Sequence, residues 1–217
     1  MSEMKRWARG SFELLVHAET HLKNGGDFDR RMAVISYDNA IEVAMHTYLN
    51  LHPIQRLNRE YAKDKVRIWL ENYHTKIDFF IHEVSSRGLA LVCDKAEFVW
   101  YHEVRNGQYH TGGATIPQGQ ELEGIREAAI WVFSTLYGIE DTEQRLAQEM
   151  ALRFPSPPER NAEYDEAINY LYGKIDIGGR EFDVSELLFA VDDTFYREVG
   201  VELCGPTQYE EGGEQTA

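Results

Sequence analysis

Apolar residues recur at helical spacing along most of the chain, and the elements they predict are nearly all α-helices. Trp7, Phe12, Leu14, Leu15, Ala18 and Leu22 make a stripe over residues 3–24, which Asn24-Gly25-Gly26 closes. A second helix is expected to start at Asp27 or Asp29, acidic residues suited to a first turn, and to run to about Leu51 ahead of Pro53. Val34, Tyr37, Ile41, Met45 and Tyr48 form its core stripe, while Asp38 and Glu42 fall on the flank and His46 lies one turn further. Residues 59–74 and 76–87 read as a helix pair or one bent helix, stopped by Gly88. Asp94 and Glu97 have capping-box spacing for the next helix, on which Phe98, Tyr101, Arg105 and Tyr109 fall within one quadrant. A strongly apolar helix over 119–137 follows Pro117 and ends at Gly138, and a shorter one covers 140–153.

The pattern then changes. Pro155, Pro157 and Pro158 make residues 154–158 the clearest linker in the chain. Beyond it, 161–172 is helical in pattern, and apolar and polar residues alternate on both sides of Gly178-Gly179, which predicts a hairpin. A further helix follows, with Ser185 as its cap and Leu187, Leu188, Val191 and Phe195 as its apolar row. The expected organisation is therefore an all-α bundle over 1–153, the linker, a small helix–hairpin–helix extension over 159–205, and a disordered tail over 206–217.

Chemistry concentrates in E-F-V-W-Y-H-E-V-R-N-G-Q-Y-H-T-G-G, Glu97 to Gly113. Arg105, Asn106, Tyr109 and His110 supply a permanent cation, an amide, a phenol and an imidazole. Arginine can clamp a phosphate with two parallel hydrogen bonds, and histidine can give and take protons near neutral pH. Residues five apart differ by roughly 140° around a straight helix. Arg105 and His110 are therefore expected to converge only through a bend or a helix end, which Gly107, Gly112 and Gly113 would supply. His102, three positions before Arg105, is a weaker auxiliary.

The run R-N-G-Q-Y-H resembles the Arg-x4-6-His signature of the HEPN superfamily, small helical domains many of which are metal-independent RNases. A second similarity lies in A-V-I-S-Y-D-N-A-I-E-V-A-M-H-T-Y-L, Ala33 to Leu49, which looks like the long HEPN helix that faces the motif. The resemblance covers roughly residues 10–140. It implies Arg105 and His110 as catalytic residues, with Asn106 orienting them or contacting phosphate, and a cleft formed between two HEPN domains. One departure is Gly112, which stands where toxins paired with a nucleotidyltransferase antitoxin often carry a modified tyrosine.

Metal-free RNA cleavage needs a base, an acid and cations around the phosphorane. One motif offers one histidine and one arginine, so two copies would complete the set, and a two-fold dimer is expected with helices 27–51 and 94–110 at its seam. Tyr109 could stack a base. Asp38, Glu42 and His46 could hold the motif's arginine or histidine, or could form an ordinary surface row. The function implied is an endoribonuclease, a toxin or antiviral effector, with RNA as substrate. The alternatives are a non-catalytic HEPN scaffold that binds RNA or a partner protein, and a metal-dependent or unrelated helical protein.

Composition adjusts this picture without overturning it. The net charge of −15 is unusual for a nucleic-acid binder. Residues 1–154, however, carry 18 Lys+Arg against 22 Asp+Glu, and residues 155–217 carry 4 against 15, so most of the excess acid lies outside the HEPN-like stretch. Arg30, Arg31, Arg56, Arg59, Lys63 and Lys65 are the candidate basic patch. The acidic extension is read as a platform for a basic partner protein, such as an antitoxin or defence partner, or as a mimic of nucleic acid. His17 and His21 have zinc-ligand spacing, but Glu19 is misplaced for H-E-x-x-H and no third ligand is in view, so no metal or other cofactor is expected. The charged start predicts no signal peptide. Two cysteines without a C-x-x-C pair and no apolar run of ~20 residues predict a cytoplasmic protein off the membrane.

Overall fold

A computed structural model describes the backbone of residues 3–111 and 115–205, and the side chains of residues 3–109 and 115–205. The chain divides into two compact units, residues 1–155 and 156–217. The tail over 206–217 lies outside the described residues.

In the first unit α1 (Arg6–Asn24) and α2 (Asp27–Asn50) form an antiparallel hairpin. Gly25 makes the tight link possible: at φ 72° it occupies the left-handed region and its N–H closes α1 onto the His21 carbonyl. Ala8, Ser11, Leu15 and Ala18 recur at helical spacing on the inner face of α1, and Ala33, Ala40 and Ala44 do the same on α2, so the two backbones can approach closely. Further on come α3 (Lys63–Trp69), α4 (Tyr73–Ser86), α5 (Lys95–Thr111), α6 (Gly119–Tyr137) and α7 (Thr142–Arg153), after a short 3-10 turn at Pro53–Arg56. The helix α2 packs against α1, α4, α5 and α6, and is the central rod of the bundle. No helix among the described residues is long and apolar enough to cross a membrane.

Most of the helix boundaries follow the sequence. Asp94 Oδ1 accepts from the Glu97 N–H at 2.9 Å and Glu97 Oε2 from the Asp94 N–H at 2.7 Å, a reciprocal cap at the start of α5. The break between α3 and α4 falls at Asn72, whose side chain accepts from the Thr75 N–H at 3.0 Å, three residues before the expected point. The crossing of α5 and α6 depends on Gly124, where a Cβ would fall 2.1 Å from the Tyr101 hydroxyl oxygen.

Two residues of the expected basic patch turn out to be structural. Arg56 is buried, donates to the Leu49 carbonyl at 3.1 Å and sits 4.7 Å over the Tyr61 ring. Arg59 pairs with fully buried Glu83 at 2.8 Å. Arg30 pairs with Asp27 at 2.9 Å and reaches Gln118, whereas Lys63 and Lys65 are exposed. The planar guanidinium suits buried ion pairs and ring stacking, and periodicity alone does not reveal which arginines turn inward.

The second unit contains α8 (Ala162–Tyr172), a β1 (Lys174–Ile177)–β2 (Arg180–Asp183) hairpin, α9 (Val184–Val191) and α10 (Asp193–Cys204). The strands pair antiparallel with Ile175 opposite Phe182 and Ile177 opposite Arg180, through Gly178 and Gly179 at φ 64° and 85°. The expected single last helix is two. Asp192 ends α9 and caps α10 by accepting from the Phe195 N–H at 2.9 Å, so the apolar phase restarts. Val191 and Phe195 are consequently exposed, while Tyr196 turns inward onto Tyr164 and Ile168. Ser185 is likewise not the cap: Asp183 holds that position, and Ser185 is buried, its Oγ accepting from Arg160.

This small core has one sharp point of weakness. A Cβ on Gly200 would fall 2.3 Å from Tyr164 Cγ, the stem of a ring that cannot swing away. Gly200→Ala is expected to cost about 1–3 kcal/mol by overpacking, a large share of what so small a core supplies. Limited proteolysis should then cut within 156–205 far faster than in the wild type. Unchanged cleavage would show that Tyr164 does not pack as described.

Candidate functional site

Three helices of the first unit converge on one carboxylate. Asp38 projects from α2 and is fully buried. His102 and Arg105, three apart on α5, share the face that meets it. His102 Nδ1 lies 2.9 Å from Asp38 Oδ2 and Arg105 Nε lies 3.5 Å from the same oxygen. The second contact is an ion pair longer than a well-formed hydrogen bond. From α4 comes Tyr73, whose ring stacks on the His102 imidazole with centroids 3.7 Å apart and planes 16° apart.

The surrounding groups complete the arrangement. Arg105 Nη1 donates to Asn106 Oδ1 at 2.8 Å, and the guanidinium carbon stands 5.5 Å over the exposed Tyr109 ring. Glu42, one turn after Asp38 on α2, pairs with buried Lys76 of α4 at 3.2 Å. The Tyr73 hydroxyl makes its best-formed hydrogen bond to the Phe98 carbonyl at 3.3 Å and also lies within reach of Asp38. Burial first, then the Asp38 charge and hydrogen bond, then Glu42, push this phenol far above its ordinary range, so it stays protonated.

The site also holds unsatisfied polar groups. Among the described residues five buried side-chain polar atoms lack a well-formed hydrogen bond, and three of them, Asp38 Oδ1, Arg105 Nε and Gln108 Oε1, belong here or one turn away on α5. Buried polar atoms are nearly always paired, and clusters of exceptions mark places where water or a ligand completes the set. Chemically, the arrangement offers an anchored cation for an anion, an oriented imidazole, and an exposed phenol ring against which a planar group can stack.

The sequence expectations divide here. Asp38, Arg105, Asn106, Tyr109 and His102 are brought together. Glu42 holds a lysine of α4 rather than the motif's arginine or histidine. His46 is exposed, about 80° round α2 from Asp38, and lies apart from the cluster. The bend expected at Gly107 is absent: α5 continues through it to Thr111, because one glycine costs a helix only about 1 kcal/mol. His110 therefore occupies the last turn of the same helix, and its side chain lies outside the described residues. Sequence reasoning missed Tyr73 and Lys76, which stand on α4 with no motif around them. It underrated His102, although its spacing from Arg105 carried the signal.

Other clusters have different chemistry. His21 Nδ1 lies 2.7 Å from Asp29 Oδ1, with the His17 ring 4.6 Å from that of His21, and among the described residues no three His, Cys, Asp or Glu side chains converge as metal ligands. A groove of about 400 Å³ lined by Arg9, Phe12, Glu13, Arg145 and Arg153 shares no residue with the Asp38 cluster. Comparison of the chain with protein-family models, with curated proteins and with solved structures finds no match.

Proposed function

We propose that the first unit is a metal-independent endoribonuclease of HEPN type, acting as a toxin or antiviral effector in the cytoplasm. The observation that carries this reading is Arg105, a cation anchored on α5 by buried Asp38 and flanked by His102, Asn106 and Tyr109. In this reading Arg105 clamps the scissile phosphate, Asn106 orients it, Tyr109 stacks a base, and His110, by motif match, transfers a proton. RNA is the substrate, the working form is a homodimer, and the acidic second unit docks a basic partner protein.

A second reading is a non-catalytic HEPN scaffold. It is favoured by the compensation of Arg105 by Asp38, since an arginine already paired is less available to a phosphate. One experiment separates the two. Purified protein incubated with total tRNA and ribosomal RNA in EDTA should cut, leaving 2′,3′-cyclic phosphate and 5′-hydroxyl ends. Arg105→Ala and His110→Ala should each lower the rate at least ~10²-fold. Absence of cleavage would favour the scaffold, and full activity in both variants would remove the motif from the mechanism.

A further inference from the structure

Within that ribonuclease reading, on which this step rests, we propose that His102 is the base that accepts the proton of the attacking 2′-hydroxyl. Its Nδ1 is held by Asp38 and its Nε2 is the reactive nitrogen. A neutral imidazole beside a carboxylate donates from the nitrogen that faces it and leaves a lone pair on the other. Asp38 Oδ2 at 2.9 Å from Nδ1 thus fixes the tautomer with its lone pair on Nε2. The Tyr73 ring, stacked at 3.7 Å, fixes the plane in which that lone pair points. The imidazole keeps 18% of its surface exposed. A histidine packed only to fill space has no need of both constraints.

The position suits the reaction. His102 and Arg105 reach the same Asp38 oxygen, so a phosphate held by the guanidinium lies beside the imidazole. In the step proposed, the 2′ oxygen bonds to phosphorus and its proton passes to Nε2. The bond from phosphorus to the 5′ oxygen breaks, and that oxygen leaves with the proton that the reading above gives to His110; the proton on the His102 imidazolium then returns to His110 through water. The products are a 2′,3′-cyclic phosphate and a 5′-hydroxyl, with nothing oxidised or reduced. One chain then carries both cation and base, and a homodimer holds two such sets.

Asp38 from α2 and Tyr73 from α4 contact the imidazole directly, and Arg105 on α5 shares its Asp38 oxygen. Chemical rescue reads the chemistry of the imidazole itself.

In single-turnover cleavage at saturating RNA, His102→Ala is expected to lower the rate roughly 10²-fold. Free imidazole, able to enter the space left beside Tyr73, should restore at least a tenth of the lost rate. Binding of a 2′-deoxy substrate analogue, which cannot react, should be unchanged. His102→Asn, which keeps a group able to donate to Asp38, should fold as the wild type does, bind the analogue and remain slow. Cleavage at the wild-type rate by either variant would overturn the base assignment and leave the ribonuclease reading standing. A slow His102→Ala with no rescue and weakened analogue binding would assign His102 a structural role and overturn it equally. A wild-type protein that leaves RNA intact would remove the ribonuclease reading and this proposal with it, an outcome visible before any variant is made.

Discussion

Glu83→Ala is expected to destabilise the first unit by about 3–5 kcal/mol, the usual cost of removing one partner from a buried ion pair. Glu83 is fully buried on α4 and accepts from Arg59 Nε at 2.8 Å, Arg87 Nε at 2.7 Å and the Tyr61 hydroxyl at 2.5 Å. Arg87 continues to the Thr135 carbonyl of α6 and, at 3.1 Å, to the Tyr48 hydroxyl of α2, so one carboxylate neutralises cations that tie three helices together. Without it two guanidiniums remain, the one on Arg87 only 16% exposed. For a domain of this size the loss corresponds to roughly 10 °C in Tm. Glu83→Gln, which keeps the shape and drops the charge, should fall between the two.

The same residue sets an acid limit. Burial alone would raise the Glu83 pKa, but the hydrogen bonds from Tyr61 and Arg87 outweigh it and hold the carboxyl below its usual value. A carboxylate depressed in the folded state contributes its stability at neutral pH and loses it as pH falls through the folded pKa. Wild-type stability should therefore drop steeply once pH goes below the ordinary carboxylate range of about 4. The Glu83→Gln protein should start lower at pH 7 and fall less. Denaturant titrations at pH 7 and pH 3.5 measure both, and a loss under ~1 kcal/mol at pH 7 would contradict the network's role.

What could be read in the sequence was local. The stripes of α1 and α2, the Asp94–Glu97 cap and the Gly178-Gly179 turn each depend on residues within four positions of one another, and each is found. The failures have two causes. At Gly107 a weak local signal lost to the packing of the helix around it, and at Asp192 a cap interrupted a run that looked continuous. Arg59 failed differently: whether it faces water or buried Glu83 is decided by a helix 24 residues further along the chain, while Arg56 turns back onto the Leu49 carbonyl and the Tyr61 ring. The candidate site shows the same divide. Asp38 and Arg105 could be picked out singly, but the convergence of Asp38, His102 and Tyr73 joins α2, α5 and α4, and nothing local encodes it.

Asp38→Ala is expected to cost about 2–4 kcal/mol and to be partly rescued by a second change at its partner. Removing the carboxylate strands the Arg105 guanidinium, 20% exposed, and takes the hydrogen-bond partner from His102. In the Asp38→Ala background, Arg105→Met replaces the stranded charge with an apolar chain of similar length. The double variant should be more stable than Asp38→Ala alone, with a coupling of about 1–3 kcal/mol, as expected for residues in one ion-paired cluster. Strict additivity within ~0.5 kcal/mol would mean that the 3.5 Å contact carries no energy. The size of the coupling also bears on function. A pair evolved only for stability would leave no acceptor or donor idle, yet Asp38 Oδ1 and Arg105 Nε both lack a well-formed hydrogen bond. A coupling at the low end of the range, together with lost RNA cleavage in Asp38→Asn, would mark an arginine held loosely enough to exchange its partner for a phosphate. A coupling at the high end with cleavage intact would mark a structural pin.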